Sequence, residues 1–481
     1  MVTERVGAAR WTRRGFARGA AAAAGLAALA GCRAKAAAAP VTPTVAAPVV
    51  ELTFMPWWIY WTTAGKTIVQ EGADQFTAAN RGIRLMALPG PQGGGASTGT
   101  IVTDIITGSG PDIVADCCGA LVTYTQANAF ANLTPLLKEA NLPLSTWSKG
   151  QVDALATTEG QWALPVYNGP VVFACREDIL DQLGLPYPDP SWTYKEAAAL
   201  WTQCAGTIQV GGKPQQRYGC NFWWYTNSWY AQAYLFDGFG GAEMDATRTH
   251  ALFDQPGALA AGNWVYPLLW DKVLGPSTGD IAAGTAVFET AGGWSIPENA
   301  IKWGNTFKWH YYPAPMYPNG RATFSNNDFW GMNANSKHPD EAWLALQWLA
   351  AGDAWQQFCM KASLLAPSKV SLWSEFVAQL VAVAPPLANR GLEWYQDAAL
   401  GGYGYAQQFF KYSPTQADNL IGGLLGKVFD QTLTVPNGFA QVTQQVNALE
   451  AAGVVEAGAA ANAAKAFPTN GPTIAATVAG I

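Results

Sequence analysis

Strand-like and helical runs alternate from residue 49 onward, and nothing else in the chain restricts its fold as tightly. Val49-Val50-Glu51-Leu52-Thr53-Phe54-Met55 reads as a strand, and residues 65–79 put Ile68, Val69, Gly72 and Phe76 on one helical stripe. Asn80 and Gly82 stop that helix, and residues 83–88 read as the next strand. A strand–helix–strand unit needs a crossover, so the strands it joins are parallel. The pattern continues with a helix over 98–107, a buried strand at 111–114 and a helix over 119–127. Gly160 punctuates a hairpin between Leu155 and Leu164, and residues 171–174 form a strand. Thr193-Tyr194-Lys195-Glu196 is a capping box opening a helix through Ala205. Residues 336–341 open another helix, with proline early and acids in the first turn, and an Ala-rich helix is expected over 441–466.

The first 32 residues read as an address rather than as fold. Arg13-Arg14 within Thr12–Arg18 has the pattern of a twin-arginine export signal, and a short apolar run follows it. The run ends in Leu29-Ala30-Gly31-Cys32, which resembles a lipobox, so Cys32 is expected to carry acyl chains that hold the protein at a membrane. Residues 33–48 form a Pro/Ala tether, and residues 466–481 read as a loose tail. The expected location is the outer face of the cell membrane or the periplasm, reached by export.

Composition narrows the function classes. A net charge of −6 with 13% charged residues provides no basic field for nucleic acid. Three histidines and no paired C-x-x-C motifs make a metal site poor, and no cofactor is expected. The Gly90–Gly95 loop lacks the Gly-Lys-Ser/Thr ending of a phosphate loop. With Cys32 lipidated, six cysteines remain, and Cys204 with Cys220 is the easiest disulfide because the loop between them is short. Aromatic residues make up 12% of the chain, including 22 tryptophans, more than a core of ordinary composition calls for.

Several stretches, in order, carry a resemblance. They are Gly110–Val114 with Asn132–Leu136, Gly160–Gly169, and Gly184-Leu185-Pro186 with Ser191–Glu196. Further on come Ala286-Val287-Phe288 with Gly292-Gly293-Trp294, then Pro313-Ala314-Pro315, and Ser336–Trp343 ahead of Leu365-Ala366-Pro367. Over roughly residues 49–465 the chain resembles the family-1 extracellular solute-binding proteins of ABC importers, a group that includes sugar-binding members. The resemblance implies a two-lobed α/β protein of the periplasmic-binding-protein type with three inter-lobe crossings, near Leu164–Asn168, Tyr311–Pro315 and Ser363–Pro367. Lobe one would be residues 49–165 with 314–363, and lobe two 167–312 with 367–465. It also implies a monomeric receptor that binds a mono- or oligosaccharide and delivers it to permease subunits.

A cleft between such lobes presents strand ends and loops to its ligand. Trp57, Trp58 and Trp61 follow the first strand, and three tryptophans in five residues cannot easily all be core. Asp116 follows the third strand, where its carboxylate can accept from hydroxyls. Tyr167 and Asn168 lie at the first crossing. Trp223 and Trp224 sit in a second aromatic concentration, Gly293 and Trp294 match the family's Gly-x-Trp element with Glu289 nearby, and Asn327, Asp328 and Trp330 stand where relatives touch ligand. The competing readings are a secreted carbohydrate-cleaving enzyme, drawing two carboxyl groups from Asp112, Asp116, Glu289 and Asp328, or a receptor for a polyamine or a phosphate ester.

Overall fold

The computed structural model describes residues 49–56, 63–89, 98–117, 119–222, 233–275, 280–326, 328–406 and 408–453. The leader with Cys32, the tether up to residue 48 and the tail at 466–481 lie outside them. The chain first lays down β1 (Val50–Met55), α1 (Thr63–Ala79), β2 (Ile83–Ala87), α2 (Thr98–Thr107), β3 (Ile113–Asp116) and α3 (Ala120–Gln126). It continues with α4 (Lys149–Ala154) and β4 (Ala163–Pro165), and then β5 (Val171–Arg176), α5 (Tyr194–Cys204), β6 (Gly206–Val210) and β7 (Lys213–Asn221). Next come α6 (Pro256–Trp270), β8 (Leu274–Gly275), β9 (Ala286–Gly292), α7 (Ile296–Trp303) and β10 (Trp309–Tyr312). After β11 (Thr323–Ser325) and β12 (Phe329–Met332) follow α8 (Pro339–Ala351), α9 (Asp353–Ser363), α10 (Trp373–Val383) and α11 (Leu392–Leu400). The last elements are β13 (Gly404–Ala406), α12 (Pro414–Phe429) and α13 (Val435–Ala451).

Two sheets organise these elements. Sheet one has the order β2-β1-β3-β12-β4, and sheet two β8-β7-β9-β5-β10 with β6 paired on β7. The expected crossovers hold: β1 is parallel to both β2 and β3. β12 enters antiparallel between β3 and β4. In sheet two β9 is parallel to β7 and antiparallel to β5.

Packing follows from the stripes. Val69, Ala73 and Phe76 of α1 are buried, and a side chain at Gly72 would drive into Trp355 of α9, its Cβ coming within 2.5 Å of the ring. Leu52 and Phe54 point inward from β1, each contributing about 1.5–3 kcal/mol by burial. The Thr193–Glu196 capping box forms in full at the start of α5. The Ala-rich helix runs from Val435 to Ala451, beginning earlier than its alanines suggest because Thr434 caps it and Pro436 occupies its first turn.

The passages between the sheets depart from their expected places. On the first passage β4 ends at Pro165 and β5 starts at Val171. The return is later than Tyr311–Pro315. Residues 313–321 stay with sheet two, where Trp192 Nε1 donates to Pro313 O at 3.0 Å, Asn319 N to Gly238 O at 2.8 Å and Arg321 to Pro190 O at 2.7 Å. The chain rejoins sheet one only at Asn326–Phe329. Beyond α9, Ser368 still accepts from Gln356 at 2.8 Å and Lys369 still bridges to Trp147, past the expected Ser363–Pro367 boundary. Helix α11 then packs on β5 and β10.

The Cys204–Cys220 bridge is corrected. Both thiols are free and fully buried. Cys204 closes α5, while Cys220 lies in β7 beside Phe288, which separates it in the sheet from a third free thiol, Cys175. Burial lifts Cys204 to about 12 and puts the other two well above the ordinary thiol range, so none is a nucleophile for exchange at neutral pH. Alkylation without reductant is therefore expected to label Cys175, Cys204 and Cys220 only after unfolding, and peptide mapping should recover no 204–220 linkage.

Candidate functional site

Parallel strands send their carboxyl ends to one side of a sheet. In sheet one β1, β3 and β4 end at Met55, Asp116 and Pro165, and the first residue of β12, Phe329, pairs with both Asp116 and Pro165. In sheet two β7 and β9 end at Asn221 and Gly292, and Gly292 pairs with Val171, the first residue of β5. Only residues 166–170 separate Pro165 from Val171, and a chain reaches at most about 3.6 Å per residue. The two carboxyl edges are thus tethered within roughly 20 Å of one another, which suits a ligand gripped from both sides.

A polar knot fixes the tether. The Gln151 amide, on α4, donates to Tyr167 O at 2.7 Å and Asn326 O at 3.0 Å, joining the outgoing and returning segments. Asn326 Nδ2 donates to the Tyr167 hydroxyl at 2.8 Å, Ser325 Oγ to Asn168 Oδ1 at 3.2 Å, and Asn168 Nδ2 to Ala399 O at 3.0 Å. Thr323 Oγ1 donates to Val171 O at 2.7 Å. Tyr167 and Asn168 are buried, and these bonds engage them within the tether. Gly293 packs against the same tether: a Cβ there would fall 2.7 Å from Gly169 Cα and 2.4 Å from the Tyr395 hydroxyl. Its missing side chain serves the contact between the two backbones.

The other candidates separate by environment. Asp116 stands at the carboxyl edge as expected, but its oxygens are taken internally. Oδ2 accepts from Thr98 Oγ1 at 2.9 Å and Tyr124 OH at 3.1 Å, and Oδ1 from Cys117 N at 2.8 Å. Burial raises its carboxyl to about 6 against the pull of those donors. Asp328 neighbours it across the Phe329–Asp116 pair and is buried. Trp330 lies in the middle of sheet one, fully buried, 6.1 Å from the Phe54 ring; it is core, because strand alternation turns it inward. Trp294 is partly buried at the edge of sheet two, against Gly292. Trp57, Trp58, Trp61, Trp223, Trp224 and Asn327 lie outside the described residues.

Glu289 lies on sheet two, three residues before the end of β9 and level with Asn221 at the end of β7, on the face opposite Phe288 and the thiols. Of the acids an enzyme could recruit, Asp112 is at the far end of β3, bound to Thr53 N at 2.8 Å and to Ser336 Oγ at 2.6 Å. Only Asp116 and Asp328 share the edge. Sequence reading missed Gln151, Thr98 and Ser325, whose polar types in short helices and a three-residue strand carry no periodic signal.

Burial, reinforced by Asp280, raises Glu289 to about 7 against the opposing pull of the Ile281 backbone and Lys302. Its folded value exceeds the ordinary 4.5, so the native state keeps a proton that the unfolded chain releases. That contribution is intact below pH 4.5, is lost as pH rises towards 7, and changes no further above it. Melting curves of wild type and Glu289→Gln should diverge in favour of the variant across that window and run parallel beyond it.

The sequence matches the family described as bacterial extracellular solute-binding protein over residues 60–354. Among curated proteins none matches it. Solved structures share the fold. A sugar transporter from Rhizobium etli in an open conformation superposes with a TM-score of 0.68 at 17% identity, covering 83% of this chain and 100% of that one. The sugar-binding protein MalE of Xanthomonas citri gives 0.68 at 15%, covering 84% and 98%. The cyclic α-maltosyl-1,6-maltose binding protein of Arthrobacter globiformis gives 0.67 at 18%, covering 84% and 100%.

Proposed function

This chain belongs to the bacterial extracellular solute-binding protein family, and on that premise we propose that it captures an oligosaccharide between its two sheets for an ABC importer. The observation that carries the reading is the five-residue tether, which holds two carboxyl edges within reach of one ligand, in a fold shared with sugar-binding proteins. The sugar class proposed is an α-linked glucooligosaccharide, the chemistry named for the Arthrobacter protein. Trp294 and the aromatic clusters Trp57–Trp61 and Trp223–Trp224 would cover apolar sugar faces, while Asn327 and Asp328 bond hydroxyls. Asp116 then acts at one remove, holding the edge through Thr98 and Tyr124. Lipid on Cys32 would keep the receptor beside its permease.

Binding favours the arrangement in which both edges touch ligand at once, so affinity and closure are linked. Thermal-shift screening with maltotriose and cyclic maltosyl-maltose tests this. Saturation at 100 times the dissociation constant is worth about 2.7 kcal/mol, a shift of several degrees. No shift and no tryptophan fluorescence response across the panel would reject the reading, and release of reducing ends would favour the hydrolase. Trp294→Ala is expected to weaken the responsive sugar about tenfold with little change in melting temperature.

A further inference from the structure

Away from the tether, the two sheets are fastened a second time. The turn at Asp245–His250 belongs to the sheet-two side, where Ala251 N donates to Asn447 and Asp254 N to Thr443, both on α13. Asp245 accepts from Thr249 N at 2.9 Å and His250 N at 3.1 Å, and holds Arg248 at φ +60°, a conformation that non-glycine residues seldom adopt. From there Arg248 Nη2 reaches across to the sheet-one side. It lies 3.3 Å from Asp153 O and Ala154 O at the end of α4 and 2.9 Å from Ala156 O just beyond it. Helix α4 is the element whose Gln151 ties the hinge, so the guanidinium acts on the far end of the same support.

The segment from β13 to Ser413 runs beside it. β13 pairs in parallel with β11, the returning hinge strand. Tyr405 OH donates to the fully buried Glu243 at 3.1 Å. Phe409 packs on Gly119 and Val122 at the start of α3, on the sheet-one side. Lys411 N donates to Arg248 O at 2.9 Å, the Gln126 amide donates to Lys411 O and Tyr412 O, and Lys411 Nζ pairs with Glu159 at 3.5 Å. At its far end Glu450 of α13 accepts from Tyr412 N and Ser413 N, each at 2.9 Å.

We propose that this flank is a lasting pivot: Arg248, residues 404–406 and residues 408–413 keep α3 and α4 joined to the sheet-two side throughout ligand capture, and the cleft opens away from them. Burial of Phe409, Phe410 and Glu243 makes repeated separation of the flank costly. The inference deepens the receptor reading and rests on it for the motion. Arg248 is a positioning residue in this scheme.

Spin labels on Glu159→Cys and Lys411→Cys test it, in a full-length Cys32→Ser, Cys118→Ser background whose remaining cysteines are buried. One narrow distance is expected, the same with and without saturating maltotriose. A second population longer by about 5 Å or more, in either state, would overturn the pivot. Arg248→Ala should create such a population and Arg248→Lys should restore most of the narrow one; an unchanged distribution in Arg248→Ala would remove Arg248 from the device. If maltotriose leaves the wild-type scattering profile unchanged, the receptor reading loses that support, while the sugar-free distribution still decides the pivot.

Discussion

One side-chain amide carries much of the architecture. Gln151 is fully engaged by two carbonyls, one on the segment leaving sheet one and one on the segment returning to it. Without that pair of bonds the buried carbonyls of Tyr167 and Asn326 would lose a donor, a penalty of about 1–3 kcal/mol for each group left unsatisfied. The amide ties two segments that also pair directly, at Phe329–Pro165 and Pro170–Ser325, and the Asn168–Ser325 and Thr323–Val171 bonds continue the seam from there. The apolar core agrees with it: one cluster runs from Leu52 and Phe54 in sheet one to Val172, Ala174 and Tyr311 on the near face of sheet two. The two sheets are therefore joined by packing as well as by chain.

Much of this was legible in the residues. Period-2 and period-3.6 runs located β1 through α3 to within two residues, since those segments bury one clean face each. Helix α2 was placed at its actual bounds, and the capping box marked α5 to one residue. The passages between sheets were harder. Proline at 313 and 315 suggests a crossing, yet Trp192 reaches over 121 positions to bind Pro313 O and keeps that stretch with sheet two. No local pattern announces a partner so distant in the chain. The thiols failed as a guide for a similar reason: a short loop makes Cys204–Cys220 easy to close, but strand register sets Cys220 beside Phe288 instead.

The candidate site was legible in its location and less so in its members. Strand-end positions put Asp116, Asp328 and Trp294 at the facing edges, which follows from chain direction alone. What each side chain does there depends on neighbours. Asp116 accepts from a threonine, a tyrosine and a backbone amide, partners that no local pattern in the sequence announces. The tryptophan surplus divides likewise. Trp201, Trp309, Trp330, Trp355 and Trp373 are wholly interior, and a large part of the aromatic excess builds the two cores.

Gly293 lies against Gly169 at the tether, where a Cβ on Gly293 would fall 2.7 Å from Gly169 Cα. A single missing carbon atom, at Gly293, lets the end of β9 lie this close to the tether. A methyl at Gly293 would press on Gly169 and the Tyr395 hydroxyl and act as a shim between strand end and tether. For anyone converting this scaffold into an optical sensor, that is where detection range could be tuned separately from selectivity.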